Sequence, residues 1–201
     1  MKVTDRDREI MRFINEFGFC EIGQIGKKFN LKKQRSYQVM SRLVDADLVV
    51  HEMVFHGKHG VFYLTRRGAQ YTDLPCIRNI PKDNYEHQLT IINVYFQLMM
   101  QYPKASWIGE RRIKQEKFMK NGFGKKSDHL ADGILVLSDE IQIAIEVELT
   151  MKSKKRLADI IRGYWRYHHI KEVWYFCSPD IFDRVKNIAE RDVHVKVHCL
   201  G

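Results

Sequence analysis

Apolar positions in the first third of the chain recur three times with helical spacing and then switch to short β-type runs. Ile10, Phe13, Ile14 and Phe17 mark one face of a first helix, opened by Thr4 with Asp7 at the capping-box position and stopped at Gly18. Ile22, Ile25 and Phe29 repeat the pattern over residues 21–29, and Asn30 supplies a turn. Ser36, Val39, Met40 and Leu43 form the inward face of a third helix. Asp47 then stands where the chain must turn, and Asp tolerates left-handed backbone better than most residues. Residues 48–50 and 61–64 read as short strands on either side of a loop, His56-Gly-Lys-His-Gly60. Thr65 caps a short helix that begins at Arg66.

The polar complement of the third helix gives this arrangement a purpose. Lys32, Lys33, Gln34, Arg35, Tyr37, Gln38 and Arg42 fall largely outside the apolar stripe, and their long cationic, amide or aromatic side chains suit phosphates and base edges. Lys58 sits on the hairpin loop. A basic helix fit for the major groove, with a basic hairpin beside it, reads as a winged helix-turn-helix. Residues 4–71 also resemble the winged-helix superfamily through Leu43, Leu48, Val49, Tyr63, Leu64, Thr65 and Gly68, with Asp47 in place of the usual glycine. The resemblance implies binding of double-stranded DNA, for which no cofactor is required.

Residues 72–84 contain Pro75 and Pro81 and lack periodicity. The sequence therefore divides into a DNA-binding domain over 1–73, a linker over 74–84 and a second domain over 85–201. In the second domain Leu89, Ile92, Tyr95, Phe96 and Met99 mark a helix over 85–101. A strand follows at 107–113, then a basic loop over 114–126 that ends Asn121-Gly-Phe-Gly-Lys-Lys. A hairpin of strands 129–137 and 141–149 turns at 138–140. A basic helix over 152–168, an apolar strand at 173–177, a helix over 178–190 and a strand at 193–197 complete the pattern. The expected order is αβββαβαβ, a mixed α/β (α+β) sheet with helices packed on it.

Lys and Arg exceed Asp and Glu, 34 against 25, giving a net charge of +9 shared between both halves, and this favours a polyanionic partner. No apolar run reaches membrane-spanning length and the first residues carry no signal-peptide core, so the expected location is the cytoplasm, with no membrane partner. Cys20, Cys76, Cys177 and Cys199 form no CxxC pair, which points to reduced thiols and away from a zinc site.

Candidate chemistry lies in the second hairpin. Glu146 and Glu148 are two apart on one strand and share a sheet face, and Asp132 starts the partner strand. Three carboxylates on one face suit Mg²⁺, with Asp132 and Glu146 as ligands, and such a metal activates water against a phosphodiester. Asp132 and Glu146 resemble the first two positions of the Asp … Glu-x-Lys motif of the restriction-endonuclease-like superfamily. Glu148 stands where that family has its catalytic lysine, which implies a degenerate nuclease site unless Lys152, Lys154 or Lys155 substitutes. Read as an enzyme, the domain is a Mg²⁺-dependent DNA nuclease with Asp132, Glu146 and Glu148 as catalytic residues.

A narrower resemblance combines the winged helix with Glu86-His87-Gln-Leu89, Glu110, Ala131-Asp132-Gly133 and Ile145-Glu146-Val-Glu148-Leu-Thr150. Together these resemble the replication-relaxation family of plasmid and integrative-element proteins, with Ala131 where the family usually has proline. That resemblance implies an accessory or regulatory role in plasmid replication, relaxation or conjugative mobilisation. An alternative reading keeps the second domain as a docking module that brings a relaxase or replication initiator to its site. Helix 85–101 is the candidate surface for a homodimer, and Arg111, Arg112, Lys125, Lys126, Lys154, Lys155 and Arg156 add basic surface.

Overall fold

The computed structural model describes residues 2–121, 129–138, 141–190 and 192–201. The chain forms two compact units, Met1–Asn93 and Val94–Gly201.

The first unit is built from α1 (Asp5–Phe17), β1 (Phe19–Glu21), α2 (Ile22–Phe29), α3 (Lys33–Asp45), β2 (Val49–Glu52), β3 (Val61–Leu64) and α4 (Arg66–Ala69). The capping box of α1 is present: the Asp7 backbone N–H donates to the Thr4 hydroxyl, and the Thr4 N–H donates to the Asp7 carboxylate at 2.9 Å. Gly18 ends the helix at φ 86°, Asn30 ends α2 in the left-handed region at φ 50°, and Asp47 turns the chain at φ 57°. Ile10, Ile14, Ile25, Leu43 and Leu64 are fully buried and contribute roughly 1.5–3 kcal/mol each. This is the winged-helix arrangement of three helices and a hairpin.

Three features depart from the sequence reading. Residues 19–21, the first two read as the space between two helices and Glu21 as the start of the second, form a strand that pairs antiparallel with β3 and completes a sheet ordered β1-β3-β2. Three residues are too few to show a period, so this strand has no signature. Residues 72–84 are tied to the first unit: the Asn15 amide donates to the Thr72 hydroxyl at 2.7 Å and to the Leu74 carbonyl at 2.6 Å, and Leu74 and Ile80 are buried. The unit also takes in the beginning of α5 (Tyr85–Gln101), where the Gln24 amide donates to the Leu89 carbonyl at 3.1 Å and Tyr85 stacks on Phe19. The division between units falls within α5, after Asn93.

The second unit continues with β4 (Ser106–Gly109), α6 (Glu110–Asn121), β5 (Gly133–Ser138), β6 (Ile141–Glu148), α7 (Lys154–Tyr164), β7 (Ile170–Cys177), α8 (Pro179–Ala189) and β8 (Val195–Cys199). Its sheet runs β4-β5-β6-β7-β8, antiparallel from β4 to β6 and parallel from β6 to β8. Each parallel pair is joined by a crossover helix, as it must be. Residues of α7 and α8 (Leu157, Ile161, Ile181, Val185) share a core with Ala144, Val173, Tyr175 and Cys177.

The expected strand over 107–113 is corrected here: it stops at Gly109, and the basic segment after it is helix α6, not a loop. Straight-chain Glu, Arg, Lys and Gln are good helix formers, and Glu110 pairs with Lys114 one turn on at 2.6 Å. Glu110 is therefore the first residue of a helix and does not lie on a strand. The Gly-rich end of that segment with Lys125 and Lys126, and Asp139-Glu140 of the hairpin turn, lie outside the described residues. The apolar face of α5 is interior, with Leu89, Ile92, Tyr95 and Leu98 all buried, and so is not a face left open for pairing.

Candidate nucleic-acid interface

Helices α2 and α3 meet at a tight crossing. The Leu31 N–H donates to the Gly26 carbonyl at 2.9 Å, and a Cβ on Gly26 would lie 3.1 Å from the Ser36 hydroxyl. That crossing buries Ser36, Val39, Met40 and Leu43 on one side of α3 and leaves Lys32, Lys33, Gln34, Arg35, Tyr37 and Gln38 exposed on the other. The N-terminus of α3 has no side-chain cap and no acidic residue in its first turn; Lys32 and Lys33 stand there instead. Unsatisfied N–H groups, the positive end of the helix dipole and two ammonium groups thus share one end, an arrangement that attracts anions. Arg35 donates to Gln38 one turn on at 3.2 Å, and both remain exposed.

Two of the expected DNA contacts are engaged within the protein. Arg42 turns inward to α1 and grips Asp7 with both guanidinium nitrogens, one of them at 3.1 Å. Asp7 is 1% exposed; burial raises its pKa, but bonds from Arg42 and from the Thr4 backbone and hydroxyl outweigh that and hold it below the usual carboxylate value. Lys58 is paired with Glu86, and its ammonium lies 5.7 Å from the Tyr85 ring and 5.8 Å from Phe55. The Tyr85 hydroxyl donates to the His59 carbonyl at 3.3 Å, so the loop carrying Lys58 is fastened to the start of α5.

In the second unit Glu146 and Glu148 do share a face of β6, but it is a covered one: they are 1% and 5% exposed. The backbone register sets Gly133 opposite Ile145, and Asp132 spends one carboxylate oxygen on the Val147 N–H at 2.8 Å. Glu148 pairs with Lys152, the one of the three candidate lysines that reaches the cluster. Glu146 receives the Tyr164 hydroxyl and His129 Nε2, the latter at 2.6 Å. Burial raises the Glu146 pKa, partly offset by His129; burial lowers that of His129, but the bond and charge of Glu146 carry it above its ordinary value. The Tyr175 hydroxyl, on a residue with 0% exposure, lies in the field of Glu146 and Glu148 with no hydrogen-bond partner among the described residues. Burial and Glu148 push the Cys177 thiol up to about 12.

Each of these carboxylates is committed to a protein donor, and among the described residues no group of three or more His, Cys, Asp and Glu side chains is arranged to hold a metal ion. The His129–Glu146–Tyr164 cluster was missed because its partners lie 17 and 18 residues from Glu146 and share no local pattern. Only the alternation at 146–148 signalled it.

No family model matches the chain, and no curated protein matches it. Among solved structures it is similar to a MarR family transcriptional regulator from Silicibacter pomeroyi DSS, at 16% identity over 50% of this chain and 72% of that one, with a TM-score of 0.32. It is similar to PigF with SAH at 9% identity and a TM-score of 0.25, over 98% of this chain and 56% of that one. A third likeness is to TrmBL2, an archaeal chromatin protein, at 11% identity over 96% and 71% of the two chains, with a TM-score of 0.24. All three likenesses are distant.

Proposed function

We propose that the first unit binds double-stranded DNA, with α3 in the major groove. The observation that carries this reading is the outer face of α3, where Lys32, Lys33, Gln34, Arg35, Tyr37 and Gln38 are all exposed beside an uncapped, doubly cationic helix end. Phosphate contacts from Lys32 and Lys33 position the helix, and Arg35 and Gln38 reach base edges, where Arg suits guanine and Gln suits adenine. The net charge of +9 adds the sequence-independent attraction on which such proteins depend.

The finer role is that of an accessory or regulatory protein of a plasmid or integrative element, acting in replication, relaxation or mobilisation, with the second unit docking a relaxase or initiator. What supports it is the resemblance carried by Glu86-His87, Ala131-Asp132-Gly133 and Glu146-Val-Glu148-Leu-Thr150.

The test is selection of bound duplexes from a random pool at near-physiological salt. Enrichment of one motif is the expected result, and an inverted repeat would mean binding as a symmetric pair. No binding to any duplex would overturn the reading.

A further inference from the structure

Next to the Glu146 cluster, α7 borders an open cavity of about 390 Å³, within the size range of small-ligand sites. Its rim carries Lys155, Arg156 and Arg166 and, among the described residues, one carboxylate, Asp159, which is paired with Arg162. His129 lines it with its Nε2 held from behind by Glu146, and Tyr164 and Tyr167 contribute aromatic rings. The charge at this rim is cationic, and the rings offer a surface on which a planar group can stack.

Gly163 shapes the floor of this cavity. It lies in the last turn of α7, where its backbone is not left-handed and where alanine is the better helix former. Among the described residues, a Cβ there would meet no atom within 4 Å beyond its chain neighbours and its own helix backbone, and the residue lines the cavity. No described neighbour requires glycine there, and its lack of a side chain leaves this wall of the cavity open.

From the cationic rim, the two tyrosine rings and the open space over Gly163 we infer that this cavity binds the phosphate of a nucleotide, with Arg156 and Arg166 on the phosphate and a tyrosine ring against the base. Arg forms paired hydrogen bonds to phosphate oxygens, and bases stack on aromatic rings whatever their sequence. The nucleotide is either free or the phosphorylated end of a strand. The site shares no residue with α3 and stands whether or not the first unit binds duplex DNA.

The experiment is an NMR titration of the ¹⁵N-labelled full-length chain with inorganic phosphate, thymidine, thymidine 5′-monophosphate and a 5′-phosphorylated thymidine dinucleotide. These probes are too short to engage a recognition helix as duplex does. Saturable shifts of the Gly163 and Arg156 amides with the monophosphate or dinucleotide are expected, at least tenfold tighter than with phosphate, and none with thymidine. The tighter of the two nucleotides identifies the source as free or strand-borne. Gly163→Leu fills the space and should abolish the shifts, and Arg156→Glu, at an exposed position that leaves the fold intact, should weaken binding at least tenfold. No saturable shift with either nucleotide, equal binding of thymidine, or unchanged binding in a folded Arg156→Glu variant would overturn the assignment.

Discussion

Arg42, in the last turn of α3, holds the carboxylate that also caps α1: its guanidinium bonds both oxygens of Asp7 while one of them accepts the Thr4 backbone N–H. One residue therefore fixes both the start of the first helix and the end of the third. Because Asp7 is buried and the Arg42 side chain is 41% exposed, removing the arginine strands a charge that water reaches only in part. Arg42→Ala should destabilise the protein by about 1–3 kcal/mol at pH 7, below the cost of breaking a fully buried pair. Asp7 has a lowered pKa in the folded state, so its contribution is complete above about pH 4, the unfolded value, and is lost as pH falls through the folded value. Urea denaturation of both proteins at pH 7 and pH 3 should show the gap narrowing in acid. A gap that persists or widens in acid would mean that the pair is not its origin.

Arg35 and Arg42 lie on the same helix, but only Arg35 is exposed on the outer face. Arg35→Ala should cost roughly 1–3 kcal/mol in binding a selected duplex if it reads a base, or lower the salt slope by about one if it contacts a phosphate. Arg42→Ala, compared under conditions where it is folded, should leave the salt slope unchanged. Salt-dependent binding isotherms for the two variants separate these outcomes.

The pairing of Lys58 with Glu86 holds a cation away from its proposed role on the wing. Both side chains are about half exposed, so the pair adds little stability, roughly 0–1 kcal/mol. Glu86→Gln should release Lys58 to phosphate, tightening duplex binding and steepening the salt slope by about one. An unchanged slope would show that Lys58 does not reach DNA.

Gly68 has a packing reason to be glycine. A Cβ on it would run into the carbonyl oxygen of Leu48, the acceptor for the Thr65 N–H at 3.1 Å. Gly68→Ala should therefore destabilise the first unit by about 1–3 kcal/mol, an overpacking cost that exceeds alanine's helical advantage. A thermal melt that moves upward would refute this.

His129 should titrate above its ordinary range in the native protein and fall when Glu146→Gln removes the partner charge. Its raised folded pKa makes the contact stabilising below the unfolded histidine value, with that contribution lost as pH rises through the folded one. Histidine ring signals followed by NMR across pH 5–9 would reveal the difference.

Where a segment repeats its own period, its residues announced its structure. The stripe Ser36, Val39, Met40 and Leu43 defined α3, and its outer residues followed by subtraction. Asp47 and Asn30 marked left-handed turns by chemistry alone. The motif glycine at 68 was legible as a pattern, but its cause is a neighbour 20 residues earlier. Strand β1 was invisible because three residues owe their state to β3, a partner 40 residues on. Arg42 reads as a surface cation until the third helix is laid against the first. The His129–Glu146–Tyr164 contact depends on how a strand and a helix are laid together, and no local spacing encodes that.

Helix α5 sets a boundary on how this protein can be cut. The proline-containing stretch before it invites a truncation at residue 84, and that cut would remove Tyr85, which stacks on Phe19, and Leu89, whose carbonyl satisfies the buried Gln24 amide. A fragment ending there would expose an aromatic ring and strand a polar group, the ingredients of an insoluble product. A fragment carried through Gln101 retains both contacts. Because the division between the units falls inside this helix, a cut between Asn93 and Val94 also breaks a continuous run of helical hydrogen bonds.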